Sequence, residues 1–462
     1  SSVMTFDHSG LRVNLLDTPG HKDFSEDTYR VLMAVESACM LIDVAKGVEE
    51  RTKKLYDVCR FRQVPIFTFV NKLDREGKEP LALIDEIEKT LNMQCYPVTW
   101  PLGIGDRFRG IYNRFTKELL IYNQRREDIL ETTVVPFPEI DLEVLQKYLA
   151  PEVAQQVFDE LSLIESALPP FEVEAFLRGE ISPVTFGSAK QNFGVDTFLK
   201  FFCEFAPGPE PRESKNKGEI DPLSSIFSGF VFKIQANMDK RHRDRVAFVR
   251  ICSGKFERGM KVNHMRLKRE LRLAYSNQFV AADRETVDVA FAGDIIGVND
   301  TGNFAIGDSI TSAGEIYFED IPKFAPELFS RVTVKDALKR SKLQEALRHL
   351  SEEGAIQIFV DPLVGLQDPL LGAVGELQFE VLQHRLQEEY NLESRLVRLP
   401  FTVARWPRTR EGQPVFELKG NFQMYRDLLD QPVLLLNQIW DLNWVQRENP
   451  DIEFHTSITR VR

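Results

Sequence analysis

Three short apolar runs that each end in a polar turn constrain the fold of this chain more than any other feature. The runs cover residues 13–16, 65–70 and 181–186, and they are rich in β-branched and aromatic side chains. Near-continuous apolar strands are typical of parallel sheets that are buried on both faces. Helical patterns alternate with the strands, which indicates βαβ units. The sequence therefore predicts an α/β domain whose ligands bind just beyond the carboxyl ends of the strands.

Composition indicates a globular chain with several cores. The 462 residues suggest about three domains, and 43% of them are hydrophobic. The formal net charge is −12, so any contact with nucleic acid must come from local basic patches. The five cysteines form no C-x-x-C pair, which predicts a reducing compartment. No apolar run approaches the roughly 20 residues of a membrane span and no signal peptide is visible, so we expect a cytoplasmic protein with no membrane contact.

The character of the sequence changes along the chain, which indicates several domains. After the α/β pattern, a Pro-rich and charged stretch is typical of a linker. Short alternating strands punctuated by glycine then indicate a small β-barrel. Two amphipathic helices interleaved with strands favour a ferredoxin-like fold. We predict an α/β domain over residues 1–206 with an insertion at about 101–178, a linker over 207–225, a β-barrel over 226–321 and a ferredoxin-like α/β domain over 322–462.

The first polar turn is Asp17-Thr18-Pro19-Gly20, followed by His21, and its groups suit a phosphate and a metal ion. The Asp17 carboxylate could hold Mg²⁺ directly or through a water. Gly20 lets the backbone approach a terminal phosphate, so that its N–H can bond an oxygen there. His21 could orient or polarise an attacking water. A single D-x-x-G is also an ordinary turn, so this stretch alone does not specify a function.

The second turn, Asn71-Lys72-Leu73-Asp74, has the groups that distinguish guanine from adenine. Guanine presents N1–H and N2–H side by side, and one ionised carboxylate, that of Asp74, can accept both. Asn71 would tie the turn to other loops, and the stem of Lys72 would lie along the base. Taken alone, the motif is also compatible with a solvated loop.

The third turn, Ser188-Ala189-Lys190, would close over the guanine O6 with a backbone N–H. That contact needs a small residue, which Ala189 supplies. Three such turns in this order, each at a strand end, predict one guanine-nucleotide site.

These three motifs, D-T-P-G-H, N-K-L-D and S-A-K, resemble the third, fourth and fifth guanine-nucleotide motifs of translational GTPases. The longer runs 17–52 and 229–259 resemble the peptide chain release factor 3 family, and the likeness covers essentially the whole chain. The resemblance implies a P-loop-type GTPase domain, a β-barrel and a ferredoxin-like domain in that order. It also implies binding of GTP or GDP with Mg²⁺, and it makes His21 the residue that positions the hydrolytic water.

The resemblance further implies where the protein acts. The family works on the bacterial ribosome, whose RNA and protein it contacts, and stimulates recycling of class-I release factors after peptide release. We expect the same of this chain, as a monomer that meets class-I release factors only indirectly, on the ribosome. The basic run 240–245 could contact ribosomal RNA or protein, although a solvated hairpin loop explains it equally well.

One part of the family pattern is absent from the sequence. No phosphate-binding loop of the form G-x-x-x-x-G-K-[ST] occurs, and no first switch precedes the strand pattern. We therefore expect the given sequence to lack the front part of the GTPase domain. We also expect GTP hydrolysis to depend on the phosphate-binding loop.

Two other functions remain open on the sequence. A GTPase of elongation factor G-like translocation or of ribosome protection would share the superfamily motifs. A non-hydrolysing interaction module would not need the chemistry of these motifs. Two further stretches have simple structural interpretations: residues 265–272 predict a strand with one solvent-exposed face, and residues 372–376 predict a tight strand-to-helix connection.

Overall fold

The computed structural model describes residues 3–18, 25–122, 131–236, 245–273, 276–280, 283–319, 321, 323–420 and 422–458. Within these ranges no helix is both long and apolar enough to cross a bilayer. Internal contacts divide the chain into two compact units. The parallel-sheet unit comprises Asp7–Val13 and Val35–Gly208, and the barrel unit comprises Ser1–Phe6, Asn14–Ala34 and Pro209–Arg462.

Within the first 208 residues, strands alternate with helices over residues 25–97, as the sequence predicts. The strands are β1 (Val3–His8), β2 (Leu11–Leu16), β3 (Ala38–Asp43), β4 (Ile66–Asn71), β5 (Gln94–Pro97), β6 (Thr99–Pro101), β7 (Gly110–Asn113), β8 (Glu118–Tyr122), β9 (Thr132–Pro136) and β10 (Ile181–Phe186). The helices are α1 (Ser25–Leu32), α2 (Glu50–Phe61), α3 (Pro80–Leu91), α4 (Leu142–Gln146), α5 (Pro151–Ala167), α6 (Val173–Leu177) and α7 (Val195–Phe205).

A four-stranded parallel sheet in the order β3-β4-β10-β5 forms the centre of the parallel-sheet unit. Strand β4 is buried along most of its length because it is flanked on both sides, and Phe67 packs edge-on against Phe176 and Phe201. Helix α3 begins with Pro80, whose missing N–H costs nothing in the first turn of a helix. The carboxyl ends of β3, β4 and β10 are neighbours at one edge, which is where the second and third predicted polar turns begin.

The strand expected at 13–16 forms, but its expected place in the parallel sheet is wrong. Strands β1 and β2 stand at one end of a ten-stranded sheet with the barrel strands. Asn14 explains this pairing, since its Nδ2 donates to Asp294 Oδ1 at 3.2 Å and its Oδ1 accepts from Thr5 Oγ1 at 3.0 Å. Leu15 on the same strand is 43% exposed. Residues 13–16 therefore form a half-exposed outer strand rather than one that is buried on both faces.

The predicted insertion contains an antiparallel sheet, β6-β7-β8-β9, and the helices α4 and α5. Strands β7 and β8 form an antiparallel hairpin within it. A nearly buried Arg114 anchors this hairpin to α5, because its Nε lies 2.9 Å from Glu165 Oε1. Lys117 Nζ reaches the other carboxylate oxygen at the same distance.

Residues 209–324 are built from strands alone in the part that the structure describes. They are β11 (Arg212–Ser214), β12 (Gly218–Ile220), β13 (Ser228–Ala236), β14 (Arg245–Ser253), β15 (Lys255–Glu257), β16 (Lys261–His264), β17 (Arg269–Arg272), β18 (Ser276–Val280), β19 (Asp283–Thr286), β20 (Val289–Phe291), β21 (Ile295–Asn299), β22 (Ser309–Thr311) and β23 (Lys323–Phe324). The predicted linker 207–225 thus contains the hairpin β11–β12. Its Lys215 N–H donates to the Tyr317 carbonyl at 2.7 Å, which ties the hairpin to the barrel unit.

The ten-stranded sheet runs β17-β16-β22-β13-β14-β21-β18-β1-β2, with β19 on β18, and packs a core that includes Val231, Val249 and Ile296. The single strand predicted over 265–272 is wrong. Strand β16 ends at His264 and the chain reverses before β17, with Lys268 in the left-handed region at φ 49°. Of the basic run 240–245, residues 240–244 lie outside the described residues.

Asp308 holds this reversal in place through buried charge. Its carboxylate accepts two hydrogen bonds from Arg266, at 2.6 and 2.8 Å, and its Oδ2 lies 3.1 Å from His264 Nε2. Burial alone would raise the pKa of the Asp308 carboxyl, but the bonds from Arg266 and the contact with His264 lower it to about 2. The ionised carboxylate is therefore an internal anchor for the segment between β16 and β17.

The substitution Asp308→Asn is expected to destabilise the protein by about 2 kcal/mol near neutral pH, because a pKa depressed in the folded state favours folding while the group is ionised. That contribution is complete above the ordinary pKa of aspartate, near 3.8, and is lost as the pH falls towards about 2. Urea unfolding curves at several pH values measure the difference. Asp288→Asn is the control, since that side chain is 78% exposed, and a constant gap between Asp308→Asn and wild type down to pH 2 would contradict the account.

The remaining residues form one eight-stranded sheet in the order β27-β24-β26-β25-β29-β30-β28-β31, covered by three helices. Its first four strands follow the βαββαβ order of a ferredoxin-like unit, as predicted, and 372–376 is the predicted strand-to-helix connection. The elements are β24 (Leu328–Val334), α8 (Arg340–Glu352), β25 (Gln357–Val360), β26 (Leu370–Ala373), α9 (Glu376–Glu388), β27 (Ser394–Arg398), β28 (Val403–Thr409), β29 (Met424–Asp427), β30 (Pro432–Leu436), α10 (Ile439–Glu448), β31 (Ile452–His455) and β32 (Ser457–Ile458).

Candidate functional site

Two of the three predicted polar turns lie against each other at the carboxyl ends of β4 and β10. The strands are in register at Phe186 and Val70, so the turns that follow them start side by side. The backbone joins them directly, because the Leu73 N–H donates to the Gly187 carbonyl at 3.1 Å. Leu73 itself is fully buried and fixes the second turn to the core.

Asn71 connects the two turns through a single side-chain oxygen. Its Oδ1 accepts the Lys72 N–H at 2.8 Å within its own turn and the Ala189 N–H at 2.9 Å across the gap. The sequence interpretation, in which Asn71 ties the turn to other loops, describes this geometry.

Asp74 is oriented by the third turn. The Ser188 hydroxyl donates to Asp74 Oδ1 at 2.5 Å, and Ser188 is completely buried. Reciprocal backbone bonds of 2.9 Å between Ser188 and Phe193 close the loop. Gly187 is required for this loop, since a Cβ there would lie 2.2 Å from the Phe193 carbonyl oxygen. The carboxylate that would read guanine thus rests on a rigid support, while Ala189 and Lys190 beside it are exposed.

A further residue of this edge, Asp43, was missed by the sequence reasoning. It ends β3, next to β4, and its Oδ2 lies 2.6 Å from Lys72 Nζ. Its Oδ1 accepts the Ala45 N–H at 2.9 Å. Partial burial would raise the pKa of Asp43, but the hydrogen bond from Lys72 and the backbone bonds outweigh it and hold the pKa below its usual range. The available signal was an acidic residue at the end of the neighbouring apolar strand.

The first predicted turn is described only in part. Asp17, which is exposed, and Thr18 follow β2 in the barrel unit. Pro19, Gly20 and His21 lie outside the described residues. Among the residues that are described, no group of three or more Asp, Glu, His or Cys side chains could hold a metal ion. Mg²⁺ usually takes only one or two carboxylates beside phosphate oxygens, so an exposed Asp17 fits an ion that arrives with a nucleotide.

Because Asn71 satisfies two backbone N–H groups, its truncation should loosen both turns at once. We expect Asn71→Ala to weaken GDP binding roughly thirtyfold, which corresponds to about 2 kcal/mol for donors left without their acceptor. Titration with a fluorescent GDP analogue measures the loss. Asn113→Ala is the matched control, since Asn113 Oδ1 also accepts two backbone N–H groups, those of Phe115 and Thr116, but lies in the insertion hairpin. Equal losses in the two variants would contradict this role of Asn71.

Comparison with known sequences defines the class of protein first. The sequence model of the elongation factor Tu GTP binding domain matches residues 1–208, and that of elongation factor G domain 2 matches residues 226–313. A crystal structure of a Thermus thermophilus protein, 22% identical, has the same fold with a TM-score of 0.68; the match covers 92% of this chain and 63% of that one. The matches to these two domain models therefore define a GTP-binding protein of the translation-factor type.

The particular family follows from the remaining matches. Residues 318–446 match the model of the class II release factor RF3 C-terminal domain. Peptide chain release factor 3 of Symbiobacterium thermophilum is 48% identical over 99% of this chain and 86% of its own length. Proteins of the same name from Listeria innocua and Synechocystis sp. are each 47% identical over 98% of this chain, and over 86% and 83% of their own lengths. The chain belongs to the peptide chain release factor 3 family.

Proposed function

We propose that the turns after β4 and β10 bind the guanine base of GTP or GDP. The observation that carries this proposal is the joint between them, in which Asn71 Oδ1 holds both turns and Ser188 holds Asp74. Asp74 would accept the guanine N1–H and N2–H, and the exposed Ala189 has no side chain large enough to obstruct O6. Lys72 and Lys190 would flank the base, and Leu73 anchors the turn.

We further propose that residues 17–21 face the phosphates. Asp17 would hold Mg²⁺, which neutralises charge on the phosphates when it is bound. The Gly20 N–H would bond the terminal phosphate, flanked by Thr18 and Pro19, and His21 would position the attacking water. Hydrolysis also requires a phosphate-binding loop, for which no G-x-x-x-x-G-K-[ST] motif is found in the sequence.

Family membership makes the chain a class II release factor, and thus a GTP-binding factor of translation termination. We propose that it works in the cytoplasm as a monomer on the bacterial ribosome, where GTP hydrolysis accompanies release and recycling of class-I release factors. The γ-phosphate would hold the segment around Gly20 in one arrangement, and hydrolysis would release it.

The test combines two measurements on this chain and on the Symbiobacterium thermophilum relative. The first is GTP hydrolysis with and without ribosomes. Where the phosphate-binding loop is present we expect slow turnover that ribosomes strongly raise, and without that loop we expect no turnover. The second is dissociation of a labelled class-I release factor from ribosomes after peptide release, which GTP and this chain should accelerate. Acceleration of messenger translocation instead would identify an elongation factor G-like activity. Failure to prefer GDP over ADP would overturn the nucleotide proposal altogether.

A further inference from the structure

The ion pair between Asp43 and Lys72 joins the base turn to a loop that carries none of the predicted site residues. The ammonium of Lys72 lies 2.6 Å from Asp43 Oδ2, and the two side chains are 44% and 16% exposed. The second carboxylate oxygen accepts backbone N–H groups from Ala45 at 2.9 Å and Lys46 at 3.4 Å. Asp43 is thus held by its own loop and presents a fixed anion to Lys72.

The backbone of Lys72 needs such support. Its φ of 71° is in the left-handed region, which is unfavourable for a residue with a side chain. The Lys72 N–H is bonded to Asn71 Oδ1 and its ammonium to Asp43, so the residue is tied at both ends. Strained backbone that the surroundings hold in place is a common feature of binding sites.

We infer that Asp43 is a positioning residue of the guanine site: by holding the Lys72 ammonium it fixes the lysine stem as one wall of the slot for the base. This inference rests on the proposed binding of guanine nucleotides. Asp43 does not read the base itself. It sets the shape of the slot before the nucleotide arrives, and so lowers the ordering required on binding.

A second lysine–carboxylate pair in the same unit provides a matched control. Lys89 Nζ lies 2.6 Å from Asp85 Oδ2 within α3, the same distance as in the Asp43 pair. Asp85→Asn therefore makes the same chemical change as Asp43→Asn, the loss of a carboxylate that pairs with a lysine. The pair includes no residue of the base turns or of the loop after β3.

The experiment measures binding of fluorescent GDP and of inosine diphosphate, which lacks the 2-amino group. Asp43→Asn keeps the shape of the side chain but removes its charge, and we expect roughly tenfold weaker GDP binding from the loss of a partly exposed charge-assisted bond. Asp85→Asn should stay within about twofold of wild type. The ratio of GDP to inosine diphosphate affinity should not change in Asp43→Asn, because positioning acts on both purines alike.

A double-mutant cycle shows whether Asp43 acts through Lys72. Lys72→Met should weaken GDP binding at least as much as Asp43→Asn, and the double variant should bind no worse than Lys72→Met alone. The inference is wrong if the fold-loss of GDP affinity in the double variant is the product of the fold-losses in the two single variants. It is also wrong if Asp43→Asn binds GDP normally. If Asp43→Asn fails to fold, Lys72→Met breaks the same pair, and normal GDP binding there overturns the inference as well. Wild type that binds GDP no better than ADP would instead refute the proposed function, and the inference with it.

Discussion

Asp74→Asn should exchange the base preference of the protein from guanine to xanthine nucleotides. The carboxylate offers two acceptors to the guanine N1–H and N2–H, whereas an amide offers one acceptor and one donor. With the amide in place, a guanine N–H would face the amide N–H, which sets a donor against a donor. The C2 carbonyl of xanthine would instead accept the amide N–H. Sites built around such bonds reject the mismatched analogue strongly, and we expect roughly a thousandfold loss of GDP affinity. Direct titration of wild type and variant with fluorescent GDP and with fluorescent xanthosine diphosphate measures the exchange.

The control for this exchange is Ser188→Ala. That change removes the 2.5 Å hydrogen bond on Asp74 Oδ1 but leaves both carboxylate acceptors in place. Binding should weaken while guanine stays preferred over xanthine. An Asp74→Asn variant that keeps the wild-type ratio of the two nucleotides would show that another residue reads the base.

In a protein that carries the phosphate-binding loop, His21→Ala should abolish the ribosome-stimulated part of GTP hydrolysis while leaving GDP affinity within about twofold. A positioned side chain that orients or polarises water contributes typically 10²–10⁴-fold to rate, so the residual rate should be at most about a hundredth. Phosphate release measured at saturating ribosomes gives the rate, and titration with fluorescent GDP gives the affinity.

An exposed histidine on α9, His384, serves as the matched control for this substitution. His384→Ala removes the same type of side chain, but from the C-terminal fold, so the variant should keep the stimulated rate. A His21→Ala variant with full turnover would remove this histidine from the mechanism, and equal losses in both variants would point to ribosome binding rather than to chemistry.

Local patterns were sufficient for much of the architecture. Strand β10 has the predicted bounds, 181–186, because it is an uninterrupted apolar run that ends at Gly187. The turn 71–74 was recognisable as well, since its chemistry is contained in four consecutive residues. Its neighbour 188–190 could be placed beside it because parallel strands end at a common edge.

Long-range pairing decided what the patterns left open. Residues 13–16 look like a buried strand in one dimension, yet the hydrogen bond of Asn14 to Asp294, 280 residues away, belongs to another sheet. The reversal at Lys268 follows from the buried Asp308, which the alternation of 265–272 does not reveal. The pair Asp43–Lys72 depends on two strands lying next to each other. The sequence by itself determined the elements and the chemistry of each turn, because these are local; only the tertiary structure decided which turns and charges meet, because that depends on sheet order and burial.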